Sequence, residues 1–414
     1  MKFYKLSLIL VAAAVVVFGL SGISLAFHNG GSGACAGCHQ MHNATTTTLL
    51  LGVDPSSTCL TCHGALDQGS YDIATPSTAM PSGIPPVNLT PGGDFGWLNK
   101  TYYPSVRNAV TTNYGNHHGH NITAAGYDNG YLAADADNPT APGGTFPTAQ
   151  LACTSCHDQH GKGRWTTAGT YSKIGGAIYT SGSYGSLPTV SGTDNLATGV
   201  YRLLRAQDTV DGVTFGATPP VAVVNSSYNR SEYYSQTRTA YGSGMSDFCG
   251  TCHPDMHTTS GILRHPTGQV MAGSIQANYN SYVKTGNMTG AATTSYLSLV
   301  PFEEGLTYTT ANITTLKSHA QTDDSVLNGP GSGSVSATAT IMCLSCHRAH
   351  ASAFESMLKW DPSQTTIVAA GAYPTGNSGL GYSIAEASKG YYDYNVTKFS
   401  SYQRQLCNKC HEKD

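Results

Sequence analysis

All twelve cysteines of this 414-residue chain fall in one five-residue pattern, Cys-x-x-Cys-His. Its six copies are Cys35, Cys38 and His39; Cys59, Cys62 and His63; Cys153, Cys156 and His157; Cys249, Cys252 and His253; Cys343, Cys346 and His347; and Cys407, Cys410 and His411. No thiol remains for a disulfide. Zinc ribbons and redox dithiols also use C-x-x-C pairs, but neither needs a histidine after every second cysteine. The pattern reads instead as covalent attachment of c-type haem, with two thiols added to the porphyrin vinyl groups and the adjacent imidazole on the iron. Six porphyrins are thus the dominant apolar mass that the chain has to fold around.

The N-terminus points to export. Lys2 and Lys5 precede an apolar run from Leu6 to Leu20, and "SLA" at 24–26 is a small-residue cleavage signal. Residues 1–26 are expected to be a removed signal peptide, and 27–414 a single hexahaem domain of 388 residues (414 less 26). The apolar run is short for a membrane span, and no other stretch is long and apolar enough for one. Haem joins c-type cytochromes after export, so a secreted product is expected.

Outside the boxes the chain is poor in the usual means of building a core. Only 11% of residues are charged, against 47 Gly, 19 Pro and 25 Tyr. Without residues 1–26, 19 basic residues (21 less Lys2 and Lys5) face 24 acidic ones, a net −5, which excludes the basic surface of a nucleic-acid binder. Tracts such as "TPGGDFGWLNKTYYPSVRN" (90–108) and "TSGSYGSLPTVSGTDNLATG" (180–199) carry turn residues and no sustained periodicity. Loops of that length normally argue against a compact domain. Here haems can replace the missing core, so the expected fold is mostly irregular coil with a few short α-helices wrapped round a haem chain, and very little β. Helices are expected over 343–360, where Ala351, Phe354 and Leu358 have helical spacing, over 399–414, and as a turn or two at 201–207.

A second axial ligand for each iron separates a carrier from an enzyme. Six of the sixteen histidines lie in boxes, leaving ten for six irons. His120, His265 and His319 precede boxes; His42, His160 and His350 each stand three residues after a box histidine. These six are the expected distal ligands, with His257 and His28 in reserve. His117 and His118, in "NYGNHHGHN", read as a solvated turn. Methionine is the competing ligand type, but the spacing of the nine methionines does not follow the boxes; Met342 and Met357 read as buried in helices. His42 poses its own question. Residues three apart on a helical turn share a side, so His42 cannot reach the iron of His39 and serves another haem or none.

"GMSDFCGTCHPDMH" (244–257), "LRHPTG" (263–268), "SYLSLVPFEEG" (295–305), "CLSCHRAHAS" (343–352) and "QLCNKCHEKD" (405–414) closely resemble the OmcS-like hexahaem outer-surface cytochromes of metal-reducing bacteria. The likeness runs from "AFHNGG" (26–31) through "TPGGDFGW" (90–97) to the C-terminus, and fades near 111–120, 165–230 and 360–395. It implies six bis-histidine haems, a homopolymeric conductive filament outside the cell, and other multihaem cytochromes as electron donors. It also implies that His42 ligates the iron at Cys343–His347 of the adjacent subunit. The expected function is electron transfer toward external acceptors such as metal oxides, electrodes or other cells, without catalysis. A monomeric shuttle or conduit subunit, and a multihaem oxyanion reductase with an open iron, are the alternatives. Electron microscopy of the secreted fraction separates the first, and carbon monoxide binding the second.

Overall fold

The computed structural model describes residues 33–411 apart from 43, 45, 65–70, 107–108, 161–162, 166–169, 174–197, 217, 226–231, 233–236, 258–264, 266, 322–332 and 376–380. Among these residues most of the backbone is turn and coil. Three of the described short α-helices begin on a side-chain cap. Asp54 accepts the Ser57 amide at 2.7 Å and Pro55 opens Pro55–His63. Thr309 accepts the Asn312 amide at 3.1 Å to start Thr310–His319. Ser383 and Glu386 cap each other's backbone at the start of Ile384–Gly390. Strands form only short antiparallel ribbons, such as Val221–Val223 with Ala240–Ser243 and Gly163–Trp165 with Tyr171–Lys173. No described helix is long and apolar enough to cross a membrane. Residues 1–26 lie outside the described residues.

Three expected helices are absent as such. Cys343–Ser345 is a single 3₁₀ turn, after which the chain runs as bends, turns and isolated bridges, with Gly119 bridging Ala351 and His347 bridging Leu358. Ala351, Ser352, Ala353 and Phe354 are all buried in succession; the helical spacing reflected burial on every side. Met342 is buried but only caps that turn, and Met357 lies in a 3₁₀ turn with positive φ. In 399–414 only Leu406–Lys409 is helical, again 3₁₀, and 201–207 keeps one 3₁₀ turn at Tyr201–Leu203.

Aromatic residues supply what aliphatic ones do not. The largest buried cluster includes Trp97, Tyr279, Tyr296, Phe302, Phe354 and Tyr391, with Tyr373 stacked on Tyr391 at 4.5 Å. Inside this core the coil's polar groups are paired by buried side chains. Lys409, within the sixth box, donates its ammonium to the carbonyls of Tyr279 and Tyr282 at 2.8 and 2.7 Å and to that of Ser295, and lies 4.2 Å over the Tyr279 ring. Asp94 accepts the amides of Thr75, Asn88 and Gly96 at 2.8, 3.0 and 2.7 Å, the Asn88 side-chain amide and the Thr75 hydroxyl. Burial pushes the Asp94 carboxyl up against these bonds. Asp94→Ala would strand several buried donors and is expected to cost about 3 kcal/mol or more in denaturant unfolding of the haem-loaded protein. A cost below about 1 kcal/mol would show that the loop 73–96 is held by other contacts.

Candidate metal centre

Each box is one helical turn, because the amide of its histidine returns to the carbonyl of its first cysteine. These bonds measure 2.8 Å at His39, 3.0 Å at His157 and His347, 3.1 Å at His253 and 2.9 Å at His411, while His63 ends the Pro55–His63 helix. Residues at i, i+3 and i+4 share a helix face, so both sulfurs and the imidazole of a box face the same space.

A second contact fixes the tautomer. Nδ1 of His39, His63, His157, His253 and His347 donates to the carbonyls of Thr48, Tyr71, Arg202, Pro142 and Ser356 at 2.7–3.0 Å. With Nδ1 carrying the proton, Nε2 presents a lone pair, the arrangement that metal-bound imidazoles use. Arg202 and Ser356 hold φ of 51° and 57°, uncommon for residues other than glycine. Their left-handed turns direct the two carbonyls at the imidazoles. Sequence gives no sign of these acceptors, since a backbone carbonyl carries no residue identity.

The boxes follow one another in space in chain order. Cys38 lies within electrostatic reach of Cys59 and Cys62, Cys59 contacts Cys153, and Cys156 neighbours Cys252. Cys249 contacts Cys343, and Cys346 neighbours Cys407 and Cys410. The short gap between the first two boxes does bring them together, and the longer gaps are folded back to the same effect.

The remaining histidines now fall into distinct groups. Four lie opposite a box imidazole: His160 with His39 at 6.4 Å between ring centres, His350 with His157 at 6.4 Å, His120 with His253 at 6.1 Å, and His265 with His411 at 6.0 Å. Two imidazoles on opposite faces of one iron have ring centres about 6 Å apart, given metal–nitrogen bonds of about 2 Å and a nitrogen about 1 Å from its ring centre. The protein thus holds four pairs at the spacing that an intervening iron needs. His120 donates Nδ1–H to the Ala349 carbonyl at 2.7 Å, and burial holds its pKa down at about 4, with His253 opposing a charge further. His350 is held down to about 3 for the same leading reason, desolvation. Both are therefore neutral and able to donate a lone pair at physiological pH.

Other candidates stand apart. His42 is exposed, beside Met41, and among the described residues no box imidazole is placed opposite it. It does not share a helical turn with His39, because the chain leaves the box helix at once and pairs His39 with Leu50; the partner of His39 is His160. His257 has both nitrogens engaged, Nδ1 with the Thr267 hydroxyl at 2.9 Å and Nε2 with Asp247 at 2.8 Å. His319 holds Nδ1 2.7 Å from Glu304 and is not brought opposite a box imidazole. His28 lies outside the described residues. His118 is a correction to the solvated turn: it is fully buried, its Nδ1 donating to the Trp97 carbonyl at 3.1 Å, while its buried Nε2 has no hydrogen-bond partner among the described residues and no box imidazole is placed opposite it there. His117 is half-buried, 3.8 Å from Glu355.

Paired imidazoles, each beside a thiol pair on a common turn and repeated in sequence along the molecule, define a multihaem c-type cytochrome. No protein-family model matches the chain. The chain is 42% identical to C-type cytochrome OmcS of Geobacter sulfurreducens, over the whole length of both. Two solved structures, an Outer Membrane Cytochrome S filament and the OmcS nanowires of the same organism, match with a TM-score of 0.81. They are 41% and 42% identical, covering 94% of this chain and 100% of theirs. This chain belongs to the OmcS family of c-type cytochromes.

Replacing His265 with Ala is expected to leave one haem in six high-spin in the optical and paramagnetic resonance spectra. An unchanged spectrum would remove His265 from the ligand set.

Proposed function

We propose that the chain is a secreted subunit of an extracellular cytochrome filament that carries electrons along six covalently bound c-type haems. The observation that carries this reading is the set of four imidazole pairs spaced for iron, strung along boxes that adjoin in sequence order. When bound, the haems supply reversible one-electron Fe(III)/Fe(II) chemistry. The chain's own part is positioning: box turns fix each porphyrin, Nδ1–H contacts fix each imidazole, and contacting box sulfurs keep neighbours adjacent.

His160, His350, His120 and His265 serve the first, third, fourth and sixth boxes. His257 is consumed by its own hydrogen bonds, and His319 reaches no box imidazole. For the second box His28, beside the expected mature N-terminus, is the proposed ligand, and for the fifth, as the resemblance to OmcS-like cytochromes implies, His42 of an adjacent subunit. Closing every iron disfavours an oxyanion reductase, which needs an exchangeable position, and a ligand supplied from outside the subunit disfavours a lone shuttle. Donation by other multihaem cytochromes, at the outer cell surface, fits such a filament.

Intact mass tests the cofactor count. The secreted chain beginning at Phe27 is expected to exceed its polypeptide mass by six haems. Five or fewer would refute the reading.

A further inference from the structure

Glu303 is a buried carboxyl outside the haem boxes. It is 2% exposed and lies between two boxes. Its carboxylate accepts the amide of Met245, first residue of the helix that carries Cys249, at 2.7 Å, and the hydroxyl of Thr340, three residues before Cys343, at 3.3 Å. Cys249 and Cys343 are themselves in contact, and the Glu303 charge is felt at Cys249. The fourth and fifth haems are therefore attached on either side of this carboxyl.

Among the described residues no ion pair of Glu303 is formed, and no lysine or arginine lies against it within salt-bridge distance. Arg238, the nearby guanidinium, is committed to Glu304 at 2.8 Å and lies over the Tyr296 and Phe302 rings. From the Met245–Gly250 helix Glu303 faces Asp247, a like charge; from the following turn it faces His257, whose imidazole is held by Asp247 and Thr267. Along the backbone it bridges Tyr241 and Thr340. A buried carboxylate held by two neutral donors, without an ion pair of its own, is costly in its charged form. Desolvation accordingly pushes its pKa up to about 7, the bonds from Met245 and Thr340 and the nearby His257 opposing this and Asp247 adding to it.

We infer that Glu303 is a redox-linked proton site, coupling proton uptake from solvent to reduction of the haem irons attached beside it. With haem bound beside it, an electron passed on from a neighbouring reduced haem would take one iron from Fe(III) to Fe(II), and the Glu303 carboxylate would take one proton from solvent to become the acid. On oxidation the electron passes on and the proton leaves. The sign follows from Coulomb's law: an ionised Glu303 favours the more positive Fe(III), so the affected potential falls as pH rises through the carboxyl's titration. The inference rests on haem loading of the fourth and fifth boxes, and on nothing about polymerisation.

The test is spectroelectrochemical titration of the haem-loaded protein and of Glu303→Gln between about pH 6 and 8, one unit either side of a group near 7. In the wild type one midpoint should fall with pH, its reduction equilibrium changing by up to about tenfold per pH unit, the limit for one proton per electron. Glu303→Gln, isosteric and still able to accept from Met245, should flatten that dependence to less than about twofold per unit while haem propionates titrate unchanged in both. Equal slopes, with six haems present in both proteins, would overturn the inference. If Glu303→Gln does not load haem, the redox-induced infrared difference spectrum of the wild type decides. A protonated-carboxyl C=O band that appears on reduction and shifts in deuterium oxide is expected, and its absence would overturn the proposal.

Discussion

His42→Ala is expected to convert long filaments into monomers or short oligomers, each subunit carrying one high-spin haem and five low-spin ones. His42 is exposed and among the described residues no box imidazole is placed opposite it, while His39 beside it already faces His160 at 6.4 Å. An imidazole left on the surface next to Met41, 84% exposed, is available to a second subunit. If it closes the iron attached at Cys343–His347 there, each junction has a metal–ligand bond. Its loss would open an iron at every junction and remove the register between subunits. Carbon monoxide should then bind about one haem in six rapidly. Full-length filaments with every haem low-spin would sink the proposal.

The second large effect separates His28 from His319. Both are candidates by sequence, one beside the expected mature N-terminus and the other at the end of Thr310–His319. His319 is tied to Glu304, itself paired with Arg238, so this imidazole completes a buried charge network rather than meeting a box. His319→Ala is therefore expected to keep six low-spin irons while destabilising the fold by about 1–3 kcal/mol, since Glu304 loses a charge-assisted bond. His28→Ala is expected to open the second iron with little change in stability. The reverse pattern, a high-spin haem in His319→Ala alone, would restore His319 as the ligand of the second box.

What could be read from the sequence was whatever the haem chemistry dictates locally. A box needs two cysteines and a histidine on one turn, so its five residues announce it wherever it lies. Irregular coil was legible from Gly, Pro and polar content, because such tracts cannot bury enough aliphatic surface. Ligand pairing was not, since His120 meets His253, and His157 meets His350, across long stretches of intervening chain. Context next to a histidine singled out His120, His160, His265 and His350, which the structure sets opposite box imidazoles, as well as His319, which it sets against Glu304. His118 was misjudged for a related reason: "NHHGHN" looks solvated, yet Trp97 and Tyr102 cover it. Expected helices failed where periodic apolar residues, such as Ala351 and Phe354, proved to lie in a segment buried on all sides.

The measurement that bears most directly on the central claim is a cryo-EM map of the secreted protein at side-chain resolution. It should show filaments in which six porphyrins lie between His39 and His160, His63 and His28, His157 and His350, His253 and His120, His347 and the His42 of an adjacent subunit, and His411 and His265. Isolated subunits, or filaments whose fifth iron is open or closed by a histidine of its own chain, would contradict it.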